Sequence, residues 1–348
     1  MKNKFSIIEA LRYSFLFFKE YFPYTLNFRK MHNYIKVCLE YRQKKIFLNS
    51  LPYVYNIDLG NICNLKCPLC PTGNNSKKRN RLFMNYKTYC KIFDKIKSYA
   101  LEVKLFNWGE PFLNKDLFRI IQYTKKSKVY VTLSTNFNTV TDKDVYNIIK
   151  YKIDKIIISL DGATEESYSS YRRGGNFAAV LNNIYKLVYF KKKYHSKNPK
   201  IIWQYLINKK NKKELENAKK LAEQIGIQLE VGKLLINQEI IRKDEIIDKS
   251  LIEEWIPKEL QKDIRNYKFT TSPPCKFLYH SMIINPEGTI SPCCAIYDSK
   301  ADFGDMLHGN LKNIWNNAKF ISSRKIFLGD TQSITKTICH ECGSVIKK

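Results

Sequence analysis

The sequence predicts an α/β protein that is built on a parallel sheet and followed by a smaller cysteine-rich module. Between Tyr53 and Ile236, short β-branched or apolar runs alternate with longer stretches of helical period. Parallel strands need a crossover element between them, and the helical stretches supply it. Beyond residue 270 this alternation has stopped, and the chain is rich in Cys, Gly and Pro.

Each strand candidate is short, and a stretch with helical spacing follows most of them. Asn or Thr residues before several helical stretches predict N-caps, and Gly226 predicts the end of one helix. Periodicity alone does not decide between an open partial barrel and a doubly wound sheet. In both, the ligand site lies at the carboxyl ends of the strands. The strand candidates are residues 53–60, 103–109, 129–136, 155–162, 200–208 and 227–235, and the helical stretches are residues 84–99, 115–126, 141–151, 176–194 and 212–225.

Composition excludes several classes of protein. The chain has 348 residues, a formal net charge of +28 and 10 cysteines. No apolar run approaches the roughly 18 residues of a membrane-spanning helix, since Arg12, Lys19 and Glu20 interrupt the longest candidate near the N-terminus. No secretory signal is expected either. We therefore predict a cytoplasmic protein, in whose reducing compartment cysteines bind metals more readily than they form disulfides. Lysine is spread along the whole chain, so no dedicated nucleic-acid surface is expected.

Three cysteines, Cys63, Cys67 and Cys70 in CNLKCPLC, directly follow the first strand candidate. Spacings of four and three residues on a tight loop can bring three thiolates toward one iron-sulfur cube. Three ligands leave one iron open, where a substrate or cofactor can bind. A zinc site lacking its fourth ligand is the less favoured alternative, because no nearby Cys or His completes a tetrahedron.

CNLKCPLC after a first strand resembles the CxxxCxxC signature of radical S-adenosylmethionine (radical SAM) enzymes. In that family the open iron of a [4Fe-4S] cluster binds S-adenosylmethionine, and an electron cleaves it to a 5′-deoxyadenosyl radical that abstracts hydrogen from C–H bonds. The resemblance covers about residues 53–235 and implies the six-stranded partial (β/α)6 TIM-like barrel of the family. It also implies a flavodoxin- or ferredoxin-type electron donor.

Further motifs at the strand ends carry the same resemblance. WGEP at 108–111 is similar to the GGE-type motif that holds the methionine amino group, with Trp108 in place of a glycine. The resemblance implies that Arg172 pairs with the cofactor carboxylate, although Arg173 is an equal candidate. It further implies that polar residues ending the third and fourth strands contact the ribose and methionine. The expected cofactor-binding residues are Gly109, Glu110, Ser134, Asn136, Ser159, Asp161 and Arg172.

A second cysteine group lies near the C-terminus, around an expected hairpin with its turn at Pro286-Glu287-Gly288. Four thiolates suit either zinc or an iron-sulfur cluster. The pattern resembles the SPASM/Twitch extension of radical SAM enzymes. Only six residues follow Cys342, so we expect the version with one auxiliary [4Fe-4S] cluster, acting as an electron relay. The expected ligands are Cys275, Cys293, Cys339 and Cys342, and Cys294 is a candidate hydrogen donor or an alternative to Cys293.

The expected organisation has four parts. A basic and aromatic segment, 1–50, caps the barrel of 51–237; a charged helical linker, 238–269, leads to the SPASM/Twitch module, 270–348. Peripheral membrane contact by the first segment is a less favoured alternative.

Three functions are compatible with these features. The favoured one is dehydrogenation or epimerisation of a small, carbohydrate-like substrate, an anionic sugar or sugar nucleotide that would suit the basic residues 77–81. The second is a peptide or protein maturase, and the third a zinc-knuckle nucleic-acid-binding protein.

Overall fold

The computed structural model describes residues 21, 24, 27–234, 241–242, 245–246, 249–261, 274–330 and 335–342. Its strands are β1 (Val54–Ile57), β2 (Glu102–Lys104), β3 (Tyr130–Thr135), β4 (Lys155–Ser159), β5 (Lys200–Ile207), β6 (Gln228–Lys233), β7 (Ile241–Arg242), β8 (Glu245–Ile246), β9 (Ser281–Ile284), β10 (Thr289–Ser291) and β11 (Gly304–Asp305). Its α-helices are α1 (Phe28–Arg42), α2 (Tyr86–Ile96), α3 (Leu117–Lys126), α4 (Asp142–Lys150), α5 (Glu165–Tyr171), α6 (Phe177–Lys193), α7 (Leu215–Ile225), α8 (Lys249–Trp255), α9 (Lys258–Gln261), α10 (Phe277–His280), α11 (Leu311–Trp315) and α12 (Ala318–Phe327).

The six strands β1 to β6 lie side by side in chain order, and all neighbours among them are parallel. This confirms the predicted α/β partial barrel, which is an open sheet here. Asn or Thr side chains cap α2, α4 and α6 as expected. Gly226 ends α7 in the left-handed conformation, with φ +77°.

The two faces of this sheet differ in chemistry. The outer face packs under the helices and buries large apolar side chains such as Tyr55, Val103 and Trp203. Residues that alternate with these point to the opposite side, which we call the inner face. Lys104, Lys155 and other polar residues stand there, partly exposed. The concave side of the barrel therefore carries polar side chains, some of them partly exposed and others such as Glu102 and Thr132 buried, whereas the convex side is the hydrophobic core.

The C-terminal hairpin is continuous with the barrel sheet. β9 pairs with β1 in parallel, with Met282 opposite Tyr55, and β10 returns antiparallel to β9. The turn between β9 and β10 contains Gly288 at φ +93°, which confirms the predicted hairpin. The expectation of a separate second module was thus incomplete, because its first strands extend the same sheet.

The segment between the barrel and this hairpin is only partly helical. The prediction of a helical linker over 238–269 was wrong for β7 and β8, which form a two-stranded antiparallel ladder. Helices α8 and α9 follow, and residues 262–273 lie outside the described part of the chain.

Residues of the N-terminal segment contact the amino ends of the barrel strands. The Tyr21 hydroxyl donates to Glu102 at 2.7 Å, and Lys30 Nζ donates to the carbonyls of Ser127 and Lys128 at 3.1 and 2.8 Å. These contacts lie opposite the carboxyl ends where the ligand site is expected. Residues 1–20 lie outside the described residues. Among the helices that the structure does describe, none has the length and apolar character needed to cross a bilayer.

Candidate active site

The loop after β1 carries Cys63, Cys67 and Cys70, and all ten cysteines of the chain have free thiols. Leu65 and Leu69, which alternate with the cysteines, are buried against Tyr171 and Trp255. These apolar residues anchor the loop, and Cys67 is buried in the same cluster, with Cys63 and Cys70 packed against it.

Polar donors point at two of these sulfurs. The backbone N–H of Leu65 lies 3.4 Å from Cys63 Sγ, and Asn136 Nδ2 lies 3.6 Å from the same atom. Arg172 Nη1 lies 3.8 Å from Cys67 Sγ. N–H groups and a guanidinium stabilise negative sulfur, so this environment suits thiolates rather than thiols.

Burial of these three side chains, by contrast, favours the protonated thiols. It raises the pKa of Cys63 to about 12 and that of Cys67 to about 11, and it also raises that of Cys70. Binding iron releases those protons, and the surrounding donors then compensate the charge. Across the described residues, no three Cys, His, Asp or Glu side chains converge as ligands of a single ion. The three cysteine ligands of an iron-sulfur cube bind separate iron atoms, so they need not converge on a single point.

The WGEP segment lies directly against the cysteine loop. A Cβ on Gly109 would stand 1.6 Å from the carbonyl oxygen of Gly60, so no side chain fits there. The N–H of Glu110 donates to the carbonyl of Ile62 at 2.9 Å. This close approach explains why the motif needs glycine at position 109.

Glu110 is buried and joins the ends of β2 and β3. Its carboxylate accepts from Thr135 Oγ1 at 2.7 Å, the N–H of Asn136 at 2.7 Å and the N–H of Phe112 at 3.1 Å. Burial raises its pKa to about 7. Thr135 is one of the polar residues ending the third strand that the resemblance implied as cofactor contacts, and here its hydroxyl binds Glu110.

The structure distinguishes the two arginines that follow α5. Arg172 pairs with buried Asp161 and faces Cys67, with Nε 2.8 Å from Asp161 Oδ2. The Arg173 side chain is 54% exposed and lies 3.6 Å from Glu254. Asp161 also accepts the N–H of Leu206 at 2.7 Å, so its oxygens are engaged within the protein. Arg172 is the arginine at the cysteine loop, and Asp161 holds it.

The remaining predicted residues are spread along the inner face. Ser134 and Ser159 stand near the carboxyl ends of β3 and β4, and Ser159 Oγ lies 3.4 Å from Gln204 Oε1. Asn136 lies closest to the cysteines, with Nδ2 also donating to Asn64 at 2.8 Å. Ser134, Asn136 and Ser159 thus share one edge of the barrel with the cysteine loop.

Asp58 is a buried carboxylate that the sequence reasoning missed. It accepts the N–H of Trp108 at 3.1 Å, and burial raises its pKa to about 7. The Trp108 indole in turn donates to the carbonyl of Ile296 at 3.3 Å. Trp108 stands where the GGE-type motif has a glycine, and its side chain connects the barrel to the C-terminal module. An acidic residue directly after β1 was the available signal for Asp58.

The four predicted auxiliary ligands line one small cavity. Cys275, Cys293, Cys339 and Cys342 surround it together with apolar side chains such as Leu278 and Phe327. Burial raises the pKa of Cys275 and of Cys339 to about 12. Four thiols facing one enclosed space fit a metal cluster with no open position.

Cys294 is absent from that cavity lining among the described residues. Burial raises its pKa, and the Lys104 cation opposes that shift. Of the two neighbours, Cys293 lines the auxiliary cavity. Cys293 is therefore the better ligand of the pair.

Arg79, one residue of the basic stretch 77–81, has a different role from the expected one. Arg79 is buried, pairs with Asp302 at 2.7 and 2.9 Å and with Glu287, and donates to the carbonyl of Tyr297 at 2.9 Å. Its guanidinium is fully engaged between the cysteine loop and the C-terminal module. Arg79 therefore cannot bind a substrate phosphate, and the expectation for this residue was wrong.

Comparison with known families agrees with this arrangement. The sequence model described as the Radical SAM superfamily matches residues 57–193. The SPASM model, described as an iron-sulfur cluster-binding domain, matches residues 275–343. The chain belongs to the radical SAM superfamily and carries a C-terminal SPASM domain. Its cofactors are S-adenosylmethionine and two iron-sulfur clusters.

Individual relatives are distant. A GTP 3′,8-cyclase of Clostridium botulinum is 25% identical over 66% of this chain and 77% of its own length. The tungsten-containing aldehyde ferredoxin oxidoreductase cofactor-modifying protein of Pyrococcus furiosus is 22% identical over 84% of this chain and 87% of its own.

Solved structures share the fold at lower identity. SuiB of Streptococcus suis bound to S-adenosylmethionine has a TM-score of 0.63 and 16% identity, covering 90% of this chain and 75% of its own. The anSMEcpe structure with bound AdoMet has a TM-score of 0.56 and 15% identity, covering 76% of this chain and 81% of its own. At this identity the likeness concerns the fold.

Proposed function

We propose that the protein removes hydrogen from a C–H bond of a small, polar, carbohydrate-like substrate bound on the inner face. The observation that carries this proposal is the chemistry of that face: Lys104, Ser134 and Gln204 stand there partly exposed, while the outer face is buried under helices. Ammonium and amide groups bind the hydroxyl and phosphate oxygens of a sugar or sugar nucleotide.

We assign the first cluster to Cys63, Cys67 and Cys70, with Arg172 held by Asp161 to pair with the cofactor carboxylate. When bound, the cluster and S-adenosylmethionine supply a 5′-deoxyadenosyl radical, which takes hydrogen from unactivated carbon. The backbone at Gly109 and the side chains of Ser134, Asn136 and Ser159 lie where they can contact the cofactor. Glu110 positions the ends of β2 and β3. Among the described residues, one oxygen of its carboxylate, Oε2, accepts a single hydrogen bond, from the N–H of Asn136.

The auxiliary site supports net oxidation. Four thiolates leave its cluster without an open position, so we propose an electron relay in dehydrogenation, served by an acidic electron carrier. Epimerisation is the variant in which a thiol returns hydrogen to the substrate. Cys294 is its candidate donor because burial raises the pKa of the thiol and so keeps it protonated, and because the Lys104 cation of the inner face is near enough to oppose that shift.

Peptide modification is the second candidate. It is favoured by the fold likeness to SuiB, whose structure has also been solved with its precursor peptide SuiA, at a TM-score of 0.59. The name of the GTP 3′,8-cyclase relative points instead to a nucleotide substrate, whose phosphates Lys104 on the inner face could bind.

The test starts from protein purified and reconstituted without oxygen. We expect about eight irons per chain, in two cubes of four, and 5′-deoxyadenosine formation from S-adenosylmethionine with dithionite. The triple variant Cys63→Ala, Cys67→Ala, Cys70→Ala should abolish cleavage, while Cys38→Ala serves as the matched control. Cleavage that persists in the triple variant would refute the site assignment.

Substrate class is tested by the increase in 5′-deoxyadenosine upon addition of candidates. Sugar nucleotides and free sugars should stimulate its formation, and short peptides should not. Stimulation by peptides alone would favour the maturase. With a true substrate, solvent deuterium in the product that is lost in Cys294→Ala would indicate epimerisation.

A further inference from the structure

A cationic groove lies on the outer surface of the C-terminal module. It encloses about 350 Å³ and is lined by Lys300, Lys319, Lys336, Phe303, Ile338 and Glu341, among other residues. The site described above uses none of these side chains. We refer to this feature as the lysine groove.

The lysine groove shares a wall with the cavity of the auxiliary thiols. Ile296 and Ile338 line both spaces. Ile338 precedes Cys339 in the short 3-10 turn Ile338–Glu341, and the N–H of Ile296 donates to the carbonyl of Cys293 at 3.4 Å. Single side chains therefore separate the groove from the thiols.

The charge of the groove is predominantly positive. Four lysines, Lys78 included, line it against the two acids Asp298 and Glu341. Lys300 and Lys336 are exposed at its rim, and Phe303 and Tyr297 provide an apolar floor. An apolar centre with a charged rim is typical of protein docking surfaces, and positive potential steers acidic partners toward them.

We propose that the lysine groove is the docking surface of an acidic one-electron carrier protein of the flavodoxin or ferredoxin class. The inference rests on the proposed function, since the auxiliary cluster must exchange electrons with an outside partner if it relays them. In each encounter one electron passes to the carrier: the auxiliary site is oxidised by one electron and the carrier is reduced by one. No bond forms or breaks. Charge complementarity and the shared wall both favour this partner.

The experiment measures binding of oxidised, acidic flavodoxin to the anaerobically reconstituted holoenzyme by isothermal titration calorimetry. The groove variant is Lys300→Glu with Lys336→Glu. The control is Lys143→Glu with Lys220→Glu, which makes the same charge change at exposed positions on α4 and α7. We expect about tenfold weaker binding by the groove variant, little change in the control, and a smaller difference at high salt.

Equal affinity in both variants, or equal weakening in both, would overturn the docking proposal. Cleavage of S-adenosylmethionine driven by dithionite bypasses the carrier and tests the proposed function separately. If the wild-type protein does not cleave S-adenosylmethionine with dithionite, the proposed function is refuted, while the measured flavodoxin affinities still test the docking proposal. Normal cleavage by the groove variant, together with weak flavodoxin binding, would support both.

Discussion

Asp161 holds Arg172 at the edge of the cysteine loop. The carboxylate receives Nε of Arg172 at 2.8 Å and also Nη2, while Nη1 lies 3.8 Å from Cys67 Sγ. Because the guanidinium is planar, fixing two of its nitrogens fixes the direction of the third. This pair sets the position of the positive charge that faces the first cluster.

Replacing Asp161 should therefore weaken cofactor binding. We expect Asp161→Asn to reduce the affinity for S-adenosylmethionine about tenfold, because a supporting partner of a binding residue is lost. Arg173→Gln is the matched control and should bind normally, since Arg173 is mostly exposed. Calorimetry on the reconstituted protein measures both affinities. A larger effect from Arg173→Gln would reverse the assignment of the two arginines.

Gly109→Ala should prevent normal folding of the site. The added carbon would overlap the carbonyl of Gly60, and relief requires movement of backbone at both positions. We expect a loss of roughly 3 kcal/mol or more in the free energy of unfolding. Gly232→Ala is the control, because its added carbon meets only the flexible end of Leu206 at 3.1 Å. Chemical denaturation of the two variants should separate them clearly.

Arg79→Met should loosen the contact between the cysteine loop and the C-terminal module. The change leaves Asp302 and Glu287 without their buried cation, a loss of about 3 to 5 kcal/mol. Arg81→Met removes only an exposed contact to Asn75 and should have little effect. Limited proteolysis and thermal unfolding report on this contact. If both variants behave alike, Arg79 does not hold the two parts together.

Alanine variants of the adjacent residues Cys293 and Cys294 should differ in iron content. Cys293→Ala should lower iron from about eight to about four per chain, because the auxiliary cavity loses a ligand. Cys294→Ala should keep both clusters. Iron and sulfide analysis after identical reconstitution distinguishes them. The reverse pattern would show that Cys294 is the ligand.

His280 should make stability depend on pH. Burial lowers the pKa of His280 to about 4. Its ring packs against Tyr41, and its Nδ1 atom forms a hydrogen bond of 3.3 Å with the Tyr53 hydroxyl. Lys276 also disfavours its charged form. The unfolded chain takes up a proton near pH 6.5, and the folded protein does not until about pH 4. Stability should therefore fall as the pH drops through this window.

The measurement is thermal unfolding of wild type and His280→Gln between pH 7 and 4. The wild type should lose on the order of 2 kcal/mol more than the variant over that range. Parallel curves for the two proteins would contradict a buried neutral histidine.

Local patterns determined much of this protein. Alternating strand and helix periods were sufficient for the six parallel strands, because each helix satisfies its own backbone hydrogen bonds and each of these strands pairs with the strands next to it in the order of the chain. The spacing of Cys63, Cys67 and Cys70 indicated the first cluster, since those ligands lie on one short loop. The WGEP motif was recognisable for the same reason, and the structure adds that Gly109 is sterically required.

Choices between adjacent residues were decided only by the tertiary structure. Arg172 and Arg173, and likewise Cys293 and Cys294, are neighbours of the same type, and the partners that separate them come from distant segments. The burial of Arg79 and the pairing of β9 with β1 are also contacts between residues far apart in the chain. Periodicity reports only which face of an element is buried. Which distant group meets that face is set by packing of the whole chain, and this is why the sequence identified the chemistry while the contacts that separate neighbouring candidates are seen only in the tertiary structure.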